Sequence, residues 1–244
     1  GWTYMNPLPL IRAALVRHRF SALAFVFLVA AGVSLSVAVV SQERALKQGS
    51  TLAADRFDLI VAPPGSRTDA LLSGVFLRPG SSQLLAPALS AALLNDSRAV
   101  SVSPLAFGDS FGGAPVVGVT AALVEHLSDG LAAGRLFTAR NEAVVGFGSN
   151  LKLGDKFQPA HGIQHGGVKA GSRDLLDAHS VTITVVGRMK PTGSPWDRAV
   201  TIPVEQVWMQ HHLPSGHEPA AQHLGPPFDA AYTPGIPMAV LQVS

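Results

Sequence analysis

Between residues 21 and 40 the chain shows no alternation at all: 20 positions pass without a charge, Asn, Gln or Pro. At 1.5 Å per residue, a helix of that length spans about 30 Å, the thickness of a bilayer core. In lipid a lone segment satisfies its backbone only as a helix. A helix in a soluble core rarely stays apolar on every face for so long. The stretch therefore predicts a transmembrane helix over 21–41. The apolar part of a cleaved signal peptide is shorter, roughly 7–15 residues, and here residues 41–48 extend the helical pattern outward. Ahead of the span, residues 1–20 interleave Leu10, Ala14 and Leu15 with Arg12, Arg17 and Arg19, as a short amphipathic helix at the membrane interface does. Trp2 and Tyr4 suit the same interface. Beyond it, residues 42–56 carry Glu43 and Lys47 at i,i+4 spacing and predict a stalk helix.

From residue 57 the pattern changes. Residues 57–62 are a short apolar strand broken by Pro63-Pro64-Gly65. Ser66 and Asp69 form a capping pair ahead of a short helix bearing Leu71, Leu72, Val75 and Phe76. Leu84, Leu85, Leu89, Ala92 and Leu93 stripe a second helix over 82–95. Strands are expected over 99–107, 116–120, 142–147, 181–189 and 198–202; Val181, Ile183 and Val185 alternate with Thr182 and Thr184 as on a half-buried strand. Pro203 opens a last short helix with Val204, Val207 and Trp208 on one face. Residues 161–179 and 211–237 lack periodicity and read as surface loops. Trp196 and Trp208 read as packing residues. Strands and helices without strict βαβ alternation predict an α+β domain over 57–244.

Charge sharpens the picture. Before residue 42 the charged residues are Arg12, Arg17 and Arg19; the rest of the chain holds 15 basic and 16 acidic residues. The positive-inside rule then places the N-terminus in the cytoplasm and everything after 41 outside. The basic residues form no stripe with interleaved aromatics, which argues against nucleic-acid binding. The absence of cysteine excludes disulfides, thiolate zinc sites and a cysteine nucleophile.

Three patterns bear on chemistry. Gly108-Asp-Ser110-Phe-Gly112 matches a nucleophile elbow, yet Gly113-Ala-Pro115 leads into another strand where the elbow needs a helix, so a hairpin turn is expected and an anchored serine hydrolase is the remote alternative. No Gly-x-x-x-x-Gly-Lys-Ser/Thr occurs, so any ATP is bound by a partner. Seven of the nine histidines follow residue 160. Of these, His161, His165, His211, His212, His217 and His223 are candidate ligands for zinc or a similar ion, because imidazole suits such metals. A zinc-handling envelope protein is thus one reading, and solvated polar loops are the other.

The order of pieces resembles the MacB/FtsX-like permeases of ABC transporters. The resemblance starts with the amphipathic helix, the span and the stalk. It continues through Phe57-Asp-Leu-Ile-Val-Ala-Pro-Pro-Gly-Ser66, Leu131-Ala-Ala-Gly-Arg-Leu-Phe137, Asn141-Glu-Ala-Val-Val-Gly146, Leu151-Lys-Leu-Gly-Asp-Lys-Phe157 and the segment from Val185 to Val200. It implies a two-lobed periplasmic domain, a mixed α/β lobe with a mostly-β lobe inserted. It also implies residence in a bacterial inner membrane and a dimer of like or unlike permeases. A cytoplasmic ATPase would drive that dimer, with a periplasmic adaptor or lipoprotein as a further partner. Such permeases are not enzymes, bind no cofactor themselves and carry further transmembrane helices after the outer domain; a chain that stops at Met238-Ala-Val-Leu-Gln-Val-Ser244 is then expected to be a truncated piece, with a single-span relative as the alternative.

Overall fold

The computed structural model describes residues 8–54, 56–65, 67–78, 83–161 and 181–243, with backbone alone for 46–54 and 161. Trp2, Tyr4, Ser66, His165 and most of the 161–179 stretch fall outside them. By internal contacts the chain divides into residues 1–48 and 49–244.

The N-terminal unit is helical. Helix α1 covers Leu8–Arg17 and α2 covers Arg19–Ala54. No side chain from Leu8 to Ala45 is buried, and Arg19–Ala45 is long and apolar enough to cross a membrane. The 36 residues of α2 give a rod of roughly 54 Å, well beyond a bilayer core. Within the apolar part, the Ser36 hydroxyl donates to the Gly32 carbonyl one turn back at 2.9 Å, which satisfies it without a polar neighbour.

Among the described residues, the second unit is built on a mixed ten-stranded sheet, which with its helices gives the expected α+β class. Its strands are β1 (Leu59–Val61), β2 (Ser101–Phe111), β3 (Ala114–Val119), β4 (Leu131–Gly134), β5 (Glu142–Val145), β6 (Lys156–Phe157), β7 (Ala160–His161), β8 (Ile183–Met189), β9 (Val200–Pro203) and β10 (Met238–Gln242). The order is β1-β10-β2-β3-β9-β5-β8-β4, with β6 on β8 and β7 on β2. Pairs β3/β9 and β5/β8 are parallel and the others antiparallel. The 11-residue strand β2 joins two parts of the sheet: Ser101–Leu105 pairs with β10, and its later half pairs with β3. By internal contacts residues 49–244 are one compact unit, and β2 is the strand shared between the two parts of its sheet.

Apolar side chains bury on both sheet faces. Ile183 and Val185 are fully buried on β8 while Thr184 is half-exposed, the alternation read from the sequence. Trp196 and Trp208 are both core residues. Helix α3 covers Arg67–Gly74 and α4 covers Pro87–Leu94. Helix α4 is shorter than the expected 82–95 because Pro87 occupies its first turn, where a missing N–H costs nothing. Helix α5 (Ala121–Ser128) was not anticipated; Thr120 caps it, its hydroxyl accepting from the Leu123 N–H. Helix α6 covers Val204–Gln210, as Pro203 predicts.

The expectation of a surface loop over 211–237 is corrected: His217, Phe228, Thr233 and Ile236 are buried. Phe228 packs edge-on against Trp208 with ring centres 5.6 Å apart. Asn95 holds the Phe228 backbone from both sides, donating to its carbonyl at 2.7 Å and accepting from its N–H at 2.9 Å. A segment without periodicity is still anchored when one side-chain amide serves as its pairing strand.

Of the motifs that carried the resemblance, those from Leu131 onward meet on β8, while the 57–66 motif forms β1, which pairs with β10. Strand β4 pairs with one edge of β8 and β5 with the other. The turn after Leu151 bonds β8 as well, the Gly154 N–H donating to Val185 and the Val185 N–H to Asp155. Gly134 has φ +78°, and a Cβ there would fall 2.1 Å from the Val186 carbonyl oxygen, so no other residue fits. Glu142 receives Arg135 in a two-pronged ion pair and also accepts from the Thr138 and Ala139 N–H groups. Arg135, above all, with those N–H groups, lowers the Glu142 pKa to about 2.

Candidate functional site

Strands β2 and β3 form a tight hairpin. Phe111 pairs with Ala114 across Gly112 (φ +56°) and Gly113 (φ +80°), the two positive angles that a type I′ turn demands. Ser110 therefore sits inside a strand, paired in register with Pro115 and Ala160, and is buried. A nucleophile elbow needs a serine exposed between strand and helix. The hairpin replaces it, so this motif gives no support to a hydrolase.

The same hairpin carries a bulge. Ala106 pairs with Gly118 and Asp109 with Val116, leaving one extra residue on β2 around Phe107 and Gly108. Gly108 has φ +147°, and a Cβ there would lie 3.0 Å from Nε2 of His211. The bulge thus lets the imidazole approach the strand backbone and brings buried Asp109 to it, Oδ1 to Nε2 at 3.7 Å. The Asp109 carboxylate raises the His211 pKa above its ordinary value, against the opposing pull of burial. His211 is fixed from the other side as the C-cap of α6, its N–H bonding the Val207 and Trp208 carbonyls.

Beside this pair opens a cavity of about 300 Å³, at the lower end of the range for ligand sites. Its wall includes Leu84, Phe107, Trp208, Leu213 and Met238, with His211 its ionisable group. Trp208 and Met238 are buried at its base, while Leu84 and Leu213 remain 57% and 40% exposed at its edge. β2, α6, the approach to α4 and the start of β10 all contribute to it.

A second polar cluster lies inside the body. Glu205 and His217 are both almost wholly buried, Oε1 and Nε2 3.3 Å apart. The same oxygen accepts from the Gly225 N–H at 2.6 Å, so the carboxylate staples the 217–225 segment to α6. His217 stacks on Phe228 and meets the ring of His223 edge-on at 4.2 Å.

The candidate metal ligands are therefore distributed. His217 and His223 come together; His211 stands apart beside Asp109; His212 is exposed with φ +57°. His161 pairs its backbone with Asp109, and its side chain, like the whole of His165, falls outside the described residues. Among the described residues no three His, Asp or Glu side chains are grouped as a metal ion requires. Asp109 and Glu205 escaped sequence reasoning. Their signal was an isolated acid within an apolar run, 102–111 for one and 203–208 for the other.

No protein-family model matches the chain, and no curated protein matches it. Among solved structures, the periplasmic region of MacB from Actinobacillus actinomycetemcomitans is similar at 13% identity over 78% of each chain, with a TM-score of 0.44. The extracellular domain of the noncanonic ABC-type transporter YknZ from Gram-positive bacteria is similar at 11% identity, over 76% of this chain and 82% of that one, with a TM-score of 0.37.

Proposed function

We propose that this chain is the transmembrane subunit of an ABC transporter of the MacB/FtsX type, anchored in a bacterial inner membrane with its N-terminus in the cytoplasm. The observation that carries this reading is α2: a single unbroken helix whose first part is apolar and exposed on every side and whose last part runs on past the length of a bilayer core. A simple anchor has no use for an extra continuous stretch, whereas a lever does. The ordered motifs add support, because their glycines and their Arg135–Glu142 pair assemble one module around β8 rather than a catalytic centre. In this reading a separate cytoplasmic ATPase supplies the energy, a second permease completes the dimer, and the outer domain acts on cargo or on a periplasmic adaptor or lipoprotein. The chain itself is not an enzyme.

The test begins with the native gene product, tagged and solubilised in mild detergent. A P-loop ATPase copurifying in equal amount is expected; its absence overturns the reading. Ala45→Pro then breaks α2 beyond the apolar part, since an interior proline costs a helix about 3 kcal/mol. Transport-coupled ATPase activity should fall while the outer domain melts at its usual temperature. Full coupling in that variant removes the lever.

A further inference from the structure

The cavity beside the β2 bulge is unused by the transporter reading, and its construction is specific. The bulge at Phe107 and Gly108 opens the strand, the positive φ of Gly108 admits His211, and Trp208 and Met238 close the base. Bulges re-aim side chains at sites of this kind. The lining is mostly apolar, and among the described residues its one ionisable group, His211, faces the Asp109 carboxylate behind it. Its apolar edge, Leu84 and Leu213, is left in water.

We propose that this cavity is a binding site for a single-chain amphiphile, whose aliphatic tail lies against Trp208 and Met238 and whose polar head accepts a hydrogen bond from His211. Three observations select that occupant. A volume of about 300 Å³ suits one chain or ring and is too small for the two tails of a bilayer lipid or for a helix face. A mostly apolar lining rewards a tail rather than a polar metabolite, through removal of apolar surface from water. The partly exposed imidazole of His211 offers one polar contact at the wall, as ligand sites of this class use few polar groups to fix orientation. The site is independent of the ATPase partnership, so either proposal can fail alone.

The test uses the full chain held in amphipol, free of alkyl detergent. It is irradiated with a dodecanoic acid carrying a photoreactive diazirine, and in parallel with the matching dodecanol. Labelled peptides containing Leu84, Trp208 or Met238 are expected. Leu84→Trp with Leu213→Trp fills the mouth from two exposed positions, so folding is preserved. It should cut labelling there by roughly tenfold, equivalent to about 1.4 kcal/mol of binding. His211→Ala should lower labelling by both the acid and the alcohol, because either head oxygen accepts from the imidazole. Labelling confined to residues 19–45, or undiminished in the filled variant, overturns the site. Labelling undiminished in His211→Ala overturns the role given to His211.

Discussion

Helix α2 and the sheet body use similar apolar residues in opposite ways. In α2, Phe25, Phe27 and Leu28 all stand more than 60% exposed and touch no core. In the body, Val185 on β8 is buried between half-exposed Thr184 and Val186, while β5 and β9 bury both faces, Val144 and Ile202 among them. The difference teaches that apolar content alone does not decide fate; the length of the run and its period do. A run that is apolar on all sides has no polar face to give to water and needs lipid. A run that alternates has one, and it buries the other against a second layer.

The largest expected effect that could break this comparison is Trp208→Ala. Removing a fully buried indole from between α6 and Phe228 should destabilise the body by about 3–5 kcal/mol, while membrane fractionation still finds the helix inserted. Loss of insertion in that variant would mean that the regions do not answer to separate solvents. Next is Leu28→Arg, in the middle of the apolar run, which should cost about 2.5–3.5 kcal/mol of insertion. An insertion assay should show a sharply reduced spanning fraction, with the melting temperature of the body unchanged.

Two smaller effects sharpen the account of the body through pH. Glu142 has its pKa depressed from 4.5 to about 2 by Arg135 and two backbone N–H groups. A depressed carboxylate contributes stability above its unfolded pKa and loses it as pH falls through its folded one. The melting-temperature gap between the native chain and Glu142→Gln should therefore be full at pH 6 and shrink between about 4.5 and 2. His211 behaves in the opposite sense. Its pKa is raised from 6.5, so the stabilisation from Asp109 is full below 6.5 and fades as pH rises through the folded value. The gap between the native chain and His211→Gln should narrow from pH 5.5 to pH 8.5; a gap that widens would remove the pair. This is the smallest effect, because His211 is partly exposed.

The sequence by itself determined the α2 span, the β8 alternation, the Gly112-Gly113 hairpin and the core placement of both deeply buried tryptophans. Each is a local matter: a bilayer length, a period of two, a turn needing positive φ, a large apolar ring. It misjudged 211–237, where aperiodic composition hid Phe228 and His217, because their burial depends on partners outside the segment: Asn95, far back in the chain, and Trp208 and Glu205 on α6. The histidines show the same division. Their spacing made one group of them, and the fold parted His211 from His217 and His223. Only the tertiary structure decided that β2 would be shared between two parts of the sheet, that its bulge would bring Asp109 to His211, and that a cavity would open beside them. The physical reason is that a cavity and an ion pair belong to several elements at once, whereas periodicity reports each element alone.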